Sequence, residues 1–471
     1  MSGERVLAID QGTHATRALL FDDRGRAVAQ AGVPVELQRL SRTEVEQSPR
    51  QLQQSLRTVI AKVLASPAAG PVTAAGLATQ RSSVLAWDRD SGEPLSPVVS
   101  WQDRRATGIC ETLAGHDARV GQLTGLRLST HYGAGKLHWL LAHSAPVAQA
   151  LANGSLAMGP LAGYLLQHLL TGCPTVVDAA NASRTLLWDL RTRDWNDELL
   201  ALFGIPRSVL PACRPICADY GMSSHGGIPL RAVNGDQTAA LYARGQPPEN
   251  TVMVNIGTGA FALLPVADPT RRPAGLLAGI SCSDASTGRY CLEGTVNGAG
   301  AALDWAGRLF GKTAWEDRLP GWLDAVGDPP LFMNTVGGLG APWWRAGPAP
   351  HFVGGKPAPA AGMVAVAESI VFLLQVNVAL LRESNPRVEC LRISGGLAQL
   401  DGLCRRLASL SGLPVQRPAQ VEGTARGIAW QAAGCPDGWQ ATGGGDTFEP
   451  REDKALAARY EAFVRHLESL R

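Results

Sequence analysis

The chain has 471 residues, of which 45% are hydrophobic and 18% charged, and its formal net charge is +2. That length exceeds what one hydrophobic core organises, so two domains are expected. A charge so close to zero gives no electrostatic footing for nucleic acid or an acidic membrane surface, and the apolar runs read as too short to cross a bilayer. Nine cysteines without a Cys-x-x-Cys pair argue for reduced thiols in a cytoplasmic protein, and against a disulfide framework or a zinc site. The start of the sequence enters a strand pattern and does not read as a secretory leader.

In chain order, residues 6–9 and 18–21 are apolar strand patterns around a polar turn. A strand, a tight turn and a returning strand would deliver Asp10 to the carboxyl end of the first strand. Gly12 would let the turn's backbone N–H groups approach an anion. Ser48 and Pro49 read as an N-cap and a first-turn proline, and Leu52, Leu56, Val59, Ile60 and Val63 share one helical face. Residues 74–79 read as a buried strand ending in Gln80 and Arg81, followed by a strand at 84–87. Polar residues just past a strand's carboxyl end are where α/β sheets bind ligands. Residues 98–105 repeat that logic. Trp101 offers an apolar wall, and Gln102, Asp103 and Arg104 offer hydrogen bonds, a mixture suited to a polyhydroxylated ligand. Arg105 reads as the solvated start of a helix.

Residues 123–129 read as loop, 136–141 as the start of a helix, and 156–170 as mostly apolar, helical from Leu161. A helix at 197–202 stops at Gly204 and Pro206, and 223–229 is loop chemistry. Asp236 stands just past a strand pattern and at the start of a helix expected over 238–244. An N-cap is the common role for such an acid, and the same place suits a reacting group. The strand–turn–strand design recurs at 251–264 around Gly257, Thr258 and Gly259. For either hairpin alone an ordinary β-turn is the simpler reading. Two hairpins sharing a Gly-Thr turn, one in each half, point to a duplicated fold. Further on, 363–382 is the most regular apolar helix, and 390–396 is a strand ending in Gly395-Gly396, suited to close approach by a ligand. Helices are expected at 400–410, 424–433 and 453–470.

The paired hairpins resemble those with which actin-like ATPases hold a nucleotide. Asp10-Gln-Gly-Thr13 with Arg17, Gln80-Arg81, Trp101-Gln-Asp-Arg-Arg105, Lys136-Leu-His-Trp139, the motif at 181–187, Gly235-Asp-Gln237, Gly257-Thr-Gly259 with Phe261, 337–342 and Gly395-Gly396 together resemble the FGGY carbohydrate kinases, most of all the glycerol kinase branch. The resemblance covers nearly the whole chain. It implies an α/β fold of two ribonuclease-H-like (actin-like ATPase) domains with an interdomain cleft, 1–245 binding substrate and 246–471 binding nucleotide. It also implies transfer of a phosphoryl group from ATP, with Mg²⁺, to a polyol or sugar hydroxyl. By resemblance Asp236 is the general base and, with Asp10, a metal residue. Gln80, Arg81, Trp101, Asp103, His131, Tyr132, Asp236, Gln237 and Phe261 would bind the acceptor. Gln11, Gly12, Thr13, Arg17, Gly257, Thr258, Gly300, Asp304, Gly395, Gly396 and Leu397 would bind the nucleotide. No P-loop lysine motif accompanies them. The implied partner is a small molecule, not nucleic acid or a membrane, and a homodimer stays open.

Departures from the family pattern bear on the acceptor. Ser82 stands where glycerol kinases carry a glutamate that binds glycerol hydroxyls, and His131 stands for a tyrosine, with Tyr132 beside it. His14 replaces a small hydroxyl residue, Leu397 and Leu400 replace a small residue and an asparagine, and Trp343-Trp344-Arg345 replaces Tyr-Trp-Asp. The loop at 223–229 is shorter than the one with which glycerol kinases bind a regulatory sugar bisphosphate. Phosphoryl transfer therefore rests on residues that are present, and glycerol as acceptor does not. The alternative is a kinase-like nucleotide- or sugar-binding protein with little or no turnover. For a kinase, the two halves are expected to close when both ligands bind.

Overall fold

A computed structural model describes residues 3–311, 315–419, 422–439 and 444–469. It forms two compact units, one of Met1–Pro247, Gly279–Tyr290 and Val421–Ala441, the other of Pro248–Ala278, Cys291–Gln420 and Thr442–Arg471. A single division at residue 245 therefore needs correction, because the chain returns to the first unit twice. The second return has a plain cause. The helix Gly423–Ala432 is buried on nearly every side and packs on strands of the first sheet.

In the first unit β1 (Arg5–Gln11), β2 (Ala15–Phe21), β3 (Ala27–Pro34), β4 (Val72–Thr79), β5 (Cys217–Met222) and β6 (Pro229–Gly235) form a sheet in the order β5-β6-β4-β1-β2-β3. The strands β6, β4 and β1 run parallel, and the outer pairings are antiparallel. β1 is buried from Val6 through Gln11, as in sheets covered on both faces. The helix α1 (Pro49–Leu64) begins as its sequence requires. The Ser48 hydroxyl accepts from the Gln51 N–H and Pro49 occupies the first turn. Leu52, Leu56, Val59, Ile60 and Val63 are buried against β1 to β3, each contributing about 1.5–3 kcal/mol. A smaller sheet pairs Gln38–Arg39, Val45–Gln47, Val98–Val99, Val84–Asp88 and Leu156–Pro160 in that order. Beside it lies α2 (Gly133–His143), which starts three residues before the expected position. The helix expected over 238–244 is the shorter α3 (Asp236–Ala240), after which Leu241 and Tyr242 are buried.

A second sheet repeats the plan. β7 (Thr251–Ile256), β8 (Ala260–Val266), β9 (Leu277–Ser283), β10 (Gly288–Val296), β11 (Cys390–Ser394), β12 (Val415–Pro418) and β13 (Gly445–Phe448) take the order β9-β10-β8-β7-β11-β12-β13. Here β12, β11 and β7 are parallel and β7 pairs antiparallel with β8, which reproduces β6-β4-β1-β2. The helix Pro359–Ser384 corrects one expectation. It is 26 residues long and contains an 18-residue stretch with a mean hydropathy of 2.1, enough to cross a membrane by length and composition. Most of that stretch, 78%, is buried against the helices Gly300–Leu309, Trp315–Ala325 and Asp401–Ser411. Its Glu368 accepts from Arg406 at 3.0 Å and from Arg459 at 2.8 Å. A paired carboxylate amid helix packing marks a core helix. The closing helix runs Lys454–Ser469, and the expected end at Leu470 lies outside the described residues.

Candidate active site

Strand register brings chemistry to one edge of the first sheet. Ala78 on β4 lies opposite Asp10 on one side and Asn234 on the other, and Thr79 lies opposite Gln11 and Gly235. Asp10 thus stands near the end of β1, while Gln80, Arg81 and Asp236 emerge just beyond β4 and β6. The rows of Asp10 and Asp236 are two strand spacings apart, about 10 Å.

Asp10 is buried. Arg17, its partner across the hairpin, donates to it at 2.7 Å and to Glu422 at 2.6 Å. Burial pushes the Asp10 pKa above the ordinary carboxylate value, Arg17 opposes the shift, and the charges of Asp236 and Glu422 add to it. Asp236 opens α3 and accepts from the Gln237 N–H at 2.7 Å. Arg81 Nε lies 3.7 Å from its carboxylate, and the same guanidinium hydrogen-bonds the Gln237 side chain. A Cβ at Gly235 would sit 2.4 Å from Arg81 Cδ, so glycine is what lets the arginine stem cross the end of β6. The surrounding protein desolvates Asp236 and raises its pKa, with Arg81 and Arg184 pulling it back. Its side chain keeps 31% exposure, which limits the rise and leaves a face that a hydroxyl can reach. An accessible carboxylate with a raised pKa is suited to accepting a proton.

An aromatic wall stands nearby. Trp101 donates from its indole to Thr13 at 3.0 Å and from its backbone to Ser83 at 3.0 Å. Its ring meets His131 edge-on at 5.6 Å, and His131 meets Tyr132 at 5.0 Å. His131 is exposed, whereas Tyr132 is 5% exposed, so the histidine is the ring presented outward. Lys136 in the first turn of α2 is fully buried. Its ammonium donates to the carbonyls of Ser82 at 3.0 Å and His131 at 2.8 Å. Burial pushes its pKa down to about 7. Ser82 itself has φ +64°, and its buried hydroxyl has no hydrogen-bond partner among the described residues.

Several sequence expectations need correction in place or role. Asp103 is fully buried and accepts from Val45 N and from Arg105, so its carboxylate holds the Trp101 loop and is closed to a ligand. Gln80 donates to Gln47 at 2.8 Å and to Gln11 at 3.3 Å and accepts from Ser83, while Gln11 donates to the Gly12 carbonyl. Both amides are buried and tie the strand ends together. Arg105 is no solvated residue. It pairs with Glu46 at 2.6 Å and Asp103 at 2.8 Å and lies 4.7 Å from the Trp139 ring centroid. Phe261 is half-buried on β8 of the second unit. Asn181 is buried, receives a hydrogen bond from Thr79 and donates to Asp178, which makes it a support behind β4. Sequence reasoning missed Glu422 and the bond from Thr424 to the Asp236 carbonyl, both distant in sequence, and held Arg184 only as part of the motif at 181–187, with no role at Asp236. Lys136 did carry a signal, as a lysine inside an apolar helix start.

In the second unit the matching strand ends offer backbone. Gly257 N donates to the Gly259 carbonyl at 2.8 Å, and the first N–H groups of the helix Gly300–Leu309 donate to Gly257 and Thr258 carbonyls at 2.9–3.0 Å. That helix start is therefore satisfied by the turn. Gly395, at φ +97°, would place a Cβ 2.4 Å from the Ile256 carbonyl, and a Cβ at the exposed Gly396 would meet nothing within 4 Å. Thr258 and Asp304 are exposed and Leu397 is half-buried. Among the described residues no group of three or more His, Cys, Asp or Glu is arranged to hold a metal.

The family model for the N-terminal domain of the FGGY family of carbohydrate kinases matches residues 5–241, and that for the C-terminal domain matches 252–434. A glycerol kinase of Allorhizobium ampelinum is 35% identical over 448 residues, covering 92% of this chain and 90% of its own. A glycerol kinase of Methylobacterium nodulans is 37% identical over 454 residues, covering 91% and 88%. Among solved structures, Plasmodium falciparum glycerol kinase with ADP superposes with a TM-score of 0.90 at 23% identity, covering 99% of this chain and 98% of its own. Xylulose kinase from Rhodospirillum rubrum superposes at 0.87, also at 23% identity, covering 99% of both.

Proposed function

The chain belongs to the FGGY family of carbohydrate kinases, and on that premise we propose that it phosphorylates a polyol or sugar other than glycerol, with Asp236 as general base. The family makes it an ATP-dependent phosphotransferase with an alcohol group as acceptor. The observation that carries the assignment of Asp236 is an accessible, raised carboxylate one residue past β6, in the same row of strand ends as Asp10. Asp236 accepts the proton of the attacking hydroxyl, and Arg81, held by Gln237, orients both. Trp101 and His131 give the carbon skeleton an apolar wall. Arg17 and the Gly12–Thr13 turn face phosphate oxygens, and in the second unit Gly257, Thr258, Gly300, Asp304, Gly395, Gly396 and Leu397 form the nucleotide side. Mg²⁺ takes one or two carboxylates and keeps several waters, so Asp10 and Asp236 fit it without a larger cluster. When bound, the ion would neutralise phosphate charge.

Ser82 supports an acceptor other than glycerol, because it offers a short neutral hydroxyl at the position where the glycerol kinase pattern has a glutamate. The test is acceptor-dependent ADP release by purified protein and ATP–Mg²⁺ across polyols, ketoses and aldoses. Saturable release with an acceptor of higher kcat/KM than glycerol is expected. Glycerol as best acceptor would overturn the reading of Ser82. ATP binding without release for any member would favour the binding-protein alternative, which His14, Leu397 and Leu400 motivate.

A further inference from the structure

We propose that Lys136 is a positioning residue for the acceptor site, tying the turn after β4 to the loop before α2 through two backbone carbonyls. The proposal rests on Arg81, Ser82 and His131 facing the acceptor, as in the function proposed above. A fully buried ammonium is costly unless its donors are used. Here they go to the carbonyl oxygens of Ser82 and His131, from two segments far apart in sequence. Both segments carry departures from the glycerol kinase pattern. Ser82 is also held in the left-handed region, at φ +64°, where a residue other than glycine needs support from its surroundings. Its unpartnered hydroxyl lies at the same turn. The lysine is thus bonded to the two segments whose side chains would select the acceptor.

The groups around the ammonium sharpen the point. Asp103 attracts it, but its carboxylate already accepts from Val45 and Arg105. Arg105 repels it, and the Cys110 thiol, pushed up to about 11 by burial, is neutral. His131 contributes its carbonyl. The carbonyl pair is therefore the anchor, and the charge that strengthens it is lost as pH rises through about 7.

Lys136→Met and Lys136→Arg test this with ATP and two probes, glycerol and D-xylulose, alongside hydrogen exchange of the intact protein. The Met variant is expected to raise the acceptor KM by roughly tenfold or more, with smaller changes in kcat and in KM for ATP. The Arg variant should recover part of that loss. Wild-type acceptor KM should rise above about pH 7, and the Arg variant's should stay flat there. Amides at 80–83 and 129–132 should exchange faster in the Met variant, with β1 and β7 unchanged. Unchanged acceptor KM in an active Met variant, or equal losses in all kinetic constants, would overturn the proposal. If neither probe is phosphorylated, the kinase reading fails for these acceptors, and unchanged exchange at both segments would overturn the role of Lys136 separately. If the Met variant does not fold, the wild-type and Arg pH profiles decide.

Discussion

The two units build the same strand arrangement and furnish it differently. In the first, the ends of β1, β4 and β6 present Asp10, Arg81 and Asp236, two acids and a base within one row. In the second, the corresponding ends of β7 and β11 present Gly257, Gly395 and Gly396, backbone without side chains, of which Gly396 lies in open space. The topology is therefore neutral toward chemistry, and the residues just past each strand decide it. Charged side chains suit proton transfer, and bare backbone suits the close approach of a flat or multiply charged ligand.

Four substitutions and one change of condition probe that contrast. Asp236→Asn should lower kcat by roughly 10²–10⁴-fold while leaving ATP affinity within a few fold, as measured by steady-state kinetics and calorimetry. Gly395→Ala acts on the other unit. Its φ of +97° and a Cβ 2.4 Å from a carbonyl should destabilise the protein by about 1–3 kcal/mol in a denaturant titration. Ser82→Glu should raise kcat/KM for glycerol by roughly tenfold, because it restores a charged acceptor for substrate hydroxyls. An unchanged preference would mean that the acceptor does not meet residue 82. The smallest effect is in pH. Asp236 works only when unprotonated and its pKa is raised, so kcat/KM should fall on the acid side at a pH above the ordinary carboxylate value of 3.8. Arg81→Met, which removes a cation that holds that pKa down, should move the acid limb further up.

Much of this contrast can be read from local pattern. Asp10 after an apolar run, Asp236 after another and the Gly-Thr turn at 257 are short-range signals, and each falls where strand periodicity puts it. What escaped has a common cause. Asp103 and Gln80 share the composition of ligand-binding residues, yet burial and hydrogen bonds to Val45, Arg105 and Gln47 turn them inward, and no local pattern encodes those partners. Arg105 appeared solvated for the same reason, since Glu46 is 59 residues away. Glu422 and Thr424 reach the first unit's site only because the helix Gly423–Ala432 returns to its sheet. Long apolar helices mislead in the opposite sense. Composition alone does not tell the core helix Pro359–Ser384 from a membrane span until its covering neighbours are known.

The division of labour between the units can be measured in one paired experiment: ATP affinity by calorimetry, and single-turnover phosphoryl transfer at saturating ATP, in Asp236→Asn and Gly396→Val. A side chain at Gly396 starts in open space, so the fold should tolerate it. The account predicts opposite patterns, with chemistry lost and ATP affinity kept in Asp236→Asn, and affinity lost with the chemical step kept in Gly396→Val. Loss of both quantities in the same proportion in the two variants, with both proteins folded, would contradict it.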